Sequence, residues 1–157
     1  MSCDFYRGNN QVFCNACVPF DFKDKYVDIH YAYLMSVSSN LDSDIEDRDG
    51  FLQLARKNLN VKHNQLSFGA LARTLHDILE ESNAPKLIDF LSLDVEGAEL
   101  DVLKGIDFGA YSFNYILVEC RNLERLEGYL SSNGYYLIDQ LSYHDYLFGL
   151  KKDFENG

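Results

Sequence analysis

The chain has 157 residues, a formal net charge of −11 at pH 7, 46% apolar residues and 25% charged residues. This length and composition are typical of one globular domain with its own hydrophobic core. The acidic balance argues against nucleic acid or an anionic membrane as the main partner, because both are bound through basic surfaces. The sequence contains no run of 18 apolar residues and no basic, apolar leader, so we expect a cytoplasmic protein without a membrane span, whose four cysteines are reduced.

The first third of the chain predicts two strands and a long polar loop. Residues 11–18 and 26–34 have the composition of strands, and Pro19 separates them. The acidic stretch 36–49 is expected to be a surface loop, followed by a short helix near residues 51–59. A loop of this length can be a lid over a binding site, although a solvated acidic surface is the more common case.

The middle of the chain predicts a strand–helix–strand unit. Apolar side chains spaced as on one face of a helix over residues 71–79 predict an amphipathic helix that ends near Ser82. The apolar run 88–93 predicts a strand buried on both faces. A short helix over residues 100–103 separates it from a second buried strand at 115–120. Strands joined through a helix are parallel, so we expect these two to be parallel neighbours.

The end of the chain predicts a different strand arrangement. Leucines spaced over residues 123–130 predict another helix, and residues 135–141 and 145–150 are typical of strands. Only three residues separate these last two strands, and so short a connection can join only an antiparallel hairpin. The predicted fold class is therefore α/β, with a mostly parallel sheet and a C-terminal antiparallel hairpin.

Carboxylates follow both central strands and form the best candidate site. Asp94 and Glu119 end the two strands, and Glu96 and Glu99 lie close to Asp94 in the sequence. Because parallel neighbours end at the same edge of a sheet, these acids should lie together, where they could bind a metal cation, accept a proton, or hold a hydroxyl or an ammonium group. The structural alternative is that Asp94 caps the following helix and Glu96 and Glu99 complement its dipole.

Other motifs carry weaker signals. The Cys14–Cys17 pair is a lone CxxC without a second pair of zinc ligands, so we interpret it as part of a strand. His76 and His144 each precede an aspartate and could act as bases, but isolated surface histidines are more common. The ten glycines never occur in the G-x-G spacing of a nucleotide-binding loop.

The sequence resembles the FkbM family of S-adenosylmethionine-dependent methyltransferases. The resemblance is strongest over residues 88–105, which contain the segment Asp94-Val-Glu-Gly-Ala-Glu99 between the strand and the helix. Further similar segments are 115–120, 134–135, 144–148, Thr74–Leu79 and the pair Asn15–Ala16, so that the resemblance covers roughly residues 10–150.

The resemblance implies a partial Rossmann-like class I methyltransferase sheet. The family's N-terminal glycine-motif unit is not recognised, so residues 1–157 are expected to be a single domain equivalent to strands three to seven, as a fragment or as one half of a split enzyme. The implied cofactor is S-adenosylmethionine, without a metal, and the implied reaction is O-methylation of a sugar, glycolipid or natural product. By resemblance, the catalytic residues are Asp94, Glu96 and Glu119, and the cofactor-binding residues are Asn15, Ala16 and Asp94.

Two alternative functions remain open at this point. The first is a non-catalytic α/β interaction module that has lost cofactor binding, because exposed sheet edges favour pairing with another chain. The second is a metal-dependent hydrolase that uses the acids, which no histidine pair supports. The expected partners are a small-molecule or saccharide acceptor, and either a second copy of the chain or a missing N-terminal partner segment.

Overall fold

The computed structural model of the protein describes residues 10–32, 35–58 and 67–151. Within them the strands lie in two four-stranded sheets, which we call the N-terminal and the C-terminal sheet. The elements in chain order are β1 (Ala16–Cys17), β2 (Tyr26–His30), β3 (Val37–Ser38), α1 (Arg48–Asn58), β4 (Ser67–Arg73), α2 (Leu75–Glu81), β5 (Leu87–Leu93), α3 (Glu99–Leu103), β6 (Ser112–Glu119), α4 (Leu123–Ser132), β7 (Tyr135–Gln140) and β8 (Asp145–Leu150).

The C-terminal sheet has the strand order β5-β6-β8-β7. Strands β5 and β6 are parallel, with Leu93 opposite Val118, and α3 lies in the connection between them. Strands β7 and β8 form the predicted antiparallel hairpin, and β8 also pairs antiparallel with β6. The parallel unit and the hairpin predicted from the sequence are therefore confirmed.

The N-terminal sheet has the order β1-β4-β2-β3, and only the β1–β4 pair is parallel. The prediction of a mostly parallel sheet is wrong, because the described strands form two mixed sheets. One physical reason is the short connection from β2 to β3, residues 31–36, which leaves no room for a crossover helix. Strand β1 is also shorter than the predicted 11–18, and β3 lies within the predicted loop 36–49.

The helix predicted over residues 71–79 begins later than expected. Leu71 lies in β4, a strand that the sequence did not predict, and α2 starts at Leu75. The Oγ1 atom of Thr74 accepts a hydrogen bond of 3.1 Å from the backbone N–H of Asp77. This cap fixes the start of the helix, and Ser82 ends it as predicted.

The largest hydrophobic core packs against one face of the C-terminal sheet. Leu126 and Leu130 of α4 lie in this core, and the hydroxyl of Tyr135 accepts a hydrogen bond of 2.8 Å from the backbone N–H of Phe113. The buried members are Leu93, Val102, Leu103, Ile106, Phe113, Ile116, Val118, Cys120, Leu126, Leu130, Tyr135 and Phe148.

The opposite face of the C-terminal sheet carries exposed aromatic side chains. In the strand register, Phe90 is opposite Tyr115, and both Tyr115 and Tyr136 are opposite Gly149 on β8. The side chains of Phe90, Tyr115 and Tyr136 are 51%, 49% and 47% exposed. The prediction that β5 is buried on both faces is therefore wrong, because no described helix covers this face. None of the described helices is long and apolar enough to cross a membrane.

Candidate functional site

The turn after β5 has an uncommon backbone conformation. Glu96 has a φ of +54° and Gly97 a φ of +99°. The Oε1 atom of Glu99 accepts hydrogen bonds from the backbone N–H groups of Val95 (3.0 Å) and Gly97 (3.1 Å). Glu99 is buried, and this burial raises the pKa of its carboxyl. Glu99 is thus a structural residue that closes the turn.

Glu96 occupies a backbone region that a non-glycine residue adopts at a cost of roughly 1–3 kcal/mol. The two Glu99 hydrogen bonds, on either side of Glu96, hold the backbone there. The Oε2 atom of Glu96 consequently lies 3.4 Å from the Nη2 atom of Arg121. Burial, as the largest cause, raises the pKa of Glu96.

Glu119 ends β6 beside the end of β5, and its side chain is within hydrogen-bonding reach of the Asp94 carboxylate. Burial, together with the negative charges of Asp94 and Glu96, raises the pKa of Glu119 to about 7. Glu119 therefore keeps its proton to a higher pH than a carboxyl in water does. The structure thus places Asp94, Glu96 and Glu119 at one sheet edge. The N-cap of α3 is Ala98, and no side chain caps this helix. The alternative in which Asp94 caps α3 is therefore wrong.

Two residues that the sequence did not single out complete this acidic cluster. The Nη1 atom of Arg121 lies 3.8 Å from Oδ1 of Asp44, and its Nη2 atom lies 3.8 Å from Oε1 of Glu119. The Oδ2 atom of Asp44 accepts hydrogen bonds from the backbone N–H groups of Arg121 (2.5 Å) and Asn122 (3.2 Å). Arg121 could have been found from its place two residues after Glu119. Asp44 gives no local signal, because its partners are nearly eighty residues away.

The loop that carries Asp44 is packed against the turn after β5. Leu41 and Ile45 are buried, and the backbone N–H of Asp44 donates to the carbonyl of Gly97 at 3.1 Å. Part of the stretch predicted to be a solvated acidic surface is therefore a wall of the site. Gly97 permits this contact, because a Cβ atom there would lie 2.6 Å from Oγ of Ser43.

A cleft of about 490 Å³ lies beside the acidic cluster. The predicted residues Asn15, Ala16, Asp94 and Glu96 all line it, while Glu119 contacts Asp94 without lining the cleft. The Nδ2 atom of Asn15 donates to the carbonyl of Leu71 at 3.3 Å, which fixes the amide immediately before β1. The remaining lining residues are Cys14, Cys17, Val27, Ile29, Ser36, Ser38, Leu41, Phe68, Ala70, Val95, Ala98 and Val102.

Of the weaker candidates, Cys14 and Cys17 line the cleft, whereas the two histidines pack against aromatic rings. Cys17 lies in β1, where burial raises the pKa of its thiol. His76 packs between the rings of Phe20 and Tyr111, and the ring of His144 packs against that of Tyr143. In the part of the chain that the structure describes, no group of three or more His, Cys, Asp or Glu residues could hold a metal ion.

The family profile described as a methyltransferase FkbM domain matches residues 25–146. The chain belongs to the FkbM methyltransferase family. The matched FkbM range contains the turn after β5, Glu119 and the Asp44 loop, whereas Asn15 and Ala16 lie before it. No curated protein and no solved structure matches the chain.

Proposed function

We propose that this FkbM-family chain transfers a methyl group from S-adenosylmethionine to a hydroxyl of a small-molecule or saccharide acceptor bound in the cleft. The observation that carries the proposal is the position of Asp94 and Glu96. Both belong to the family-matched range, both line the cleft, and Asp94 contacts Glu119, a second acid outside the cleft. A volume of about 490 Å³ falls within the range of small-ligand sites.

The cleft lining fits the methyl donor that the family implies. S-adenosylmethionine, when bound, supplies an activated methyl group on a positively charged sulfonium. The charged residues that line the cleft within the described chain, Asp94 and Glu96, are both acids and suit a cation. Apolar side chains such as Val27 and Ile29 provide the non-polar part of the lining. In this proposal, Asn15, Ala16 and Asp94 hold the donor.

The residues of the chain would then orient the acceptor and remove its proton. When bound, the donor would supply the methyl group that the acceptor oxygen receives, and the proton that the hydroxyl loses would have to pass to a group of the chain. The Asp94–Glu119 pair can take up this proton, because the pKa of Glu119 is raised to about 7 by burial and by the neighbouring acids. A base is most effective when its pKa is close to the working pH. Glu96, on the same edge, would orient the acceptor.

Calorimetric titration with S-adenosylmethionine and S-adenosylhomocysteine tests the proposal. We expect micromolar binding by the wild type and at least tenfold weaker binding of S-adenosylmethionine by Asp94→Asn. Asp89→Asn is the matched control, because Asp89 lies in β5, the strand that leads to Asp94, is exposed, and does not line the cleft. Absence of binding by a well-folded wild type would contradict the proposal, as would equal losses in the two variants.

Methyl transfer itself is tested with isotopically labelled S-adenosylmethionine and a panel of neutral glycosides and polyols. We expect transfer by the wild type and a loss of at least a hundredfold in kcat for Glu119→Gln, since the glutamine cannot take up the proton. Unchanged transfer by this variant would contradict the role of the carboxyl pair.

A specific observation also favours the second candidate, a non-catalytic interaction module. Phe90, Tyr115 and Tyr136 form a row of half-exposed aromatic side chains on the C-terminal sheet. Such a row can pack against another protein surface. This alternative predicts a stable dimer in sedimentation velocity with no cofactor binding, and that Tyr115→Ser dissociates the dimer. A monomer that binds S-adenosylhomocysteine would contradict it.

A further inference from the structure

We propose that Arg121 is a positioning residue of this site, which holds Glu96 and Glu119 in place beside Asp94 and keeps the carboxyl pair able to accept a proton. Asp44 in turn fixes the position of Arg121. This inference rests on the proposed methyl transfer. Arg121 does not line the cleft, so it would act through the acids and not on the substrate.

The guanidinium of Arg121 joins three segments that are far apart in the sequence. It lies 3.4 Å from Glu96 in the turn after β5, 3.8 Å from Glu119 at the end of β6, and 3.8 Å from Asp44 in the loop before α1. The Arg121 side chain is 22% exposed. These ion pairs are therefore partly shielded from water and stronger than pairs on an open surface.

The position of Arg121 is itself determined from two directions. Asp44 binds the backbone N–H groups of Arg121 and Asn122 with one carboxylate oxygen and faces the guanidinium with the other. The ring of Phe51 lies 5.2 Å from the guanidinium carbon, a distance suited to a cation–π contact. Asp44 and Phe51 thus contact Arg121 from two sides, Asp44 through the backbone N–H and the guanidinium, and Phe51 through the guanidinium alone.

Arg121 supplies the positive charge in a region crowded with acids. Each carboxylate near Glu119 makes it harder for Glu119 to lose its proton, and Arg121 opposes this effect. Without Arg121, the pKa of Glu119 would rise further, and Glu119 would hold its proton at neutral pH. Among the described residues, the charged groups that act on Glu119 are Asp94 and Glu96 in the turn after β5 and Arg121 after β6. Asp145 is opposite Glu119 on β8, and Asp44 faces Arg121 from the loop.

The test compares Arg121→Gln and Arg121→Lys with the control Arg125→Gln. Arg125 also pairs with the same loop, through Asp42, but it is 44% exposed, and no ion pair joins it to Asp94, Glu96 or Glu119 among the described residues. Two quantities are measured for each protein: the pH dependence of kcat/KM, and the titration midpoint of Glu119 by NMR of protein labelled with ¹³C at the glutamate carboxyl carbons.

For Arg121→Gln we expect the acidic limb of the pH profile and the NMR midpoint to move up together by about one pH unit, the smallest shift typical of losing a nearby opposite charge. Activity at pH 7 should fall several-fold and recover at pH 8.5. Arg121→Lys should have a Glu119 titration midpoint close to that of the wild type. Arg125→Gln should change neither the pH profile nor the midpoint.

The outcomes separate this inference from the proposed function. If Arg121→Gln lowers activity equally at every pH and leaves the Glu119 midpoint in place, the positioning role is wrong, even though the methyl transfer stands. If the wild type transfers no methyl group, the proposed function fails, and with it the positioning role in that reaction. In that case, a shifted Glu119 midpoint in Arg121→Gln would show only that Arg121 and Glu119 interact electrostatically. The inference would also be overturned if Arg125→Gln shifted the Glu119 titration midpoint as far as Arg121→Gln does.

Discussion

The N-terminal and C-terminal sheets are built from different kinds of interaction. The C-terminal sheet has strands of six to eight residues and packs on a core with twelve buried members among the described residues. In the N-terminal sheet, β1 and β3 have two residues each, and the buried clusters around it have four described members each. One of those members is Ala98, which comes from the turn after β5. The N-terminal sheet thus completes its core with a residue of the C-terminal half.

The largest expected effect comes from truncating the larger core. Phe148→Ala should lower the free energy of unfolding by about 3–5 kcal/mol, because Phe148 is fully buried in the centre of the C-terminal sheet. Val27→Ala, in the fully buried position of β2, should cost about 2 kcal/mol. Urea unfolding, followed by tyrosine fluorescence and circular dichroism, measures both. The contrast between the sheets would be refuted if Val27→Ala cost as much as Phe148→Ala.

A smaller effect is expected where the two halves meet. Gly97→Ala should destabilise the protein by about 1–3 kcal/mol, because alanine is strained at a φ of +99° and its Cβ would overlap Ser43. Gly128→Ala is the matched control. Gly128 lies inside α4 with open space around its Cα, so alanine should stabilise the helix by about 0.5–1 kcal/mol. Thermal unfolding distinguishes the two, and changes of the same sign would contradict the packing of the loop on the turn.

The smallest effect depends on pH and concerns the acid cluster. The pKa of Glu119 is raised from 4.5 to about 7 on folding, so its contribution to stability is present below pH 4.5 and is lost as the pH rises through 7. Glu119→Gln mimics the protonated acid and should therefore be more stable than the wild type at pH 8, by about 1 kcal/mol after allowance for solvent screening. Melting temperatures at pH 5 and pH 8 test this. If the wild type became more stable relative to Glu119→Gln between pH 5 and pH 8, the predicted direction of this pH dependence would be wrong.

The sequence predicts the C-terminal sheet well because its signals are local. The strand–helix–strand unit from β5 to β6 and the hairpin of β7 and β8 follow from apolar runs and short connections. Strand β4 was missed because Leu71, Leu75 and Ile78 have helical spacing, although the Thr74 cap divides them between a strand and a helix. The exposed face of β5 was also missed, since an apolar run does not show what covers it.

The acids of the candidate site could be predicted, but the groups that organise them could not. Asp94, Glu96 and Glu119 follow predicted strands, so their meeting at one edge is a consequence of sheet geometry. The division of roles between Glu96 and Glu99 depends on backbone conformation, because only the left-handed Glu96 turns towards Arg121 while Glu99 turns inward. Asp44 was hidden in an acidic stretch whose partners are remote in the sequence.

The contact between Asp44 and the start of α4 also sets an order of assembly during synthesis. Its carboxylate binds backbone groups of Arg121 and Asn122, which leave the ribosome long after the loop itself has emerged. Until then the loop has no anchor on α4, and the acid cluster lacks its cation. Domains generally fold as units during synthesis, and the loop of this domain can be fixed on α4 only after Arg121 and Asn122 have left the exit tunnel.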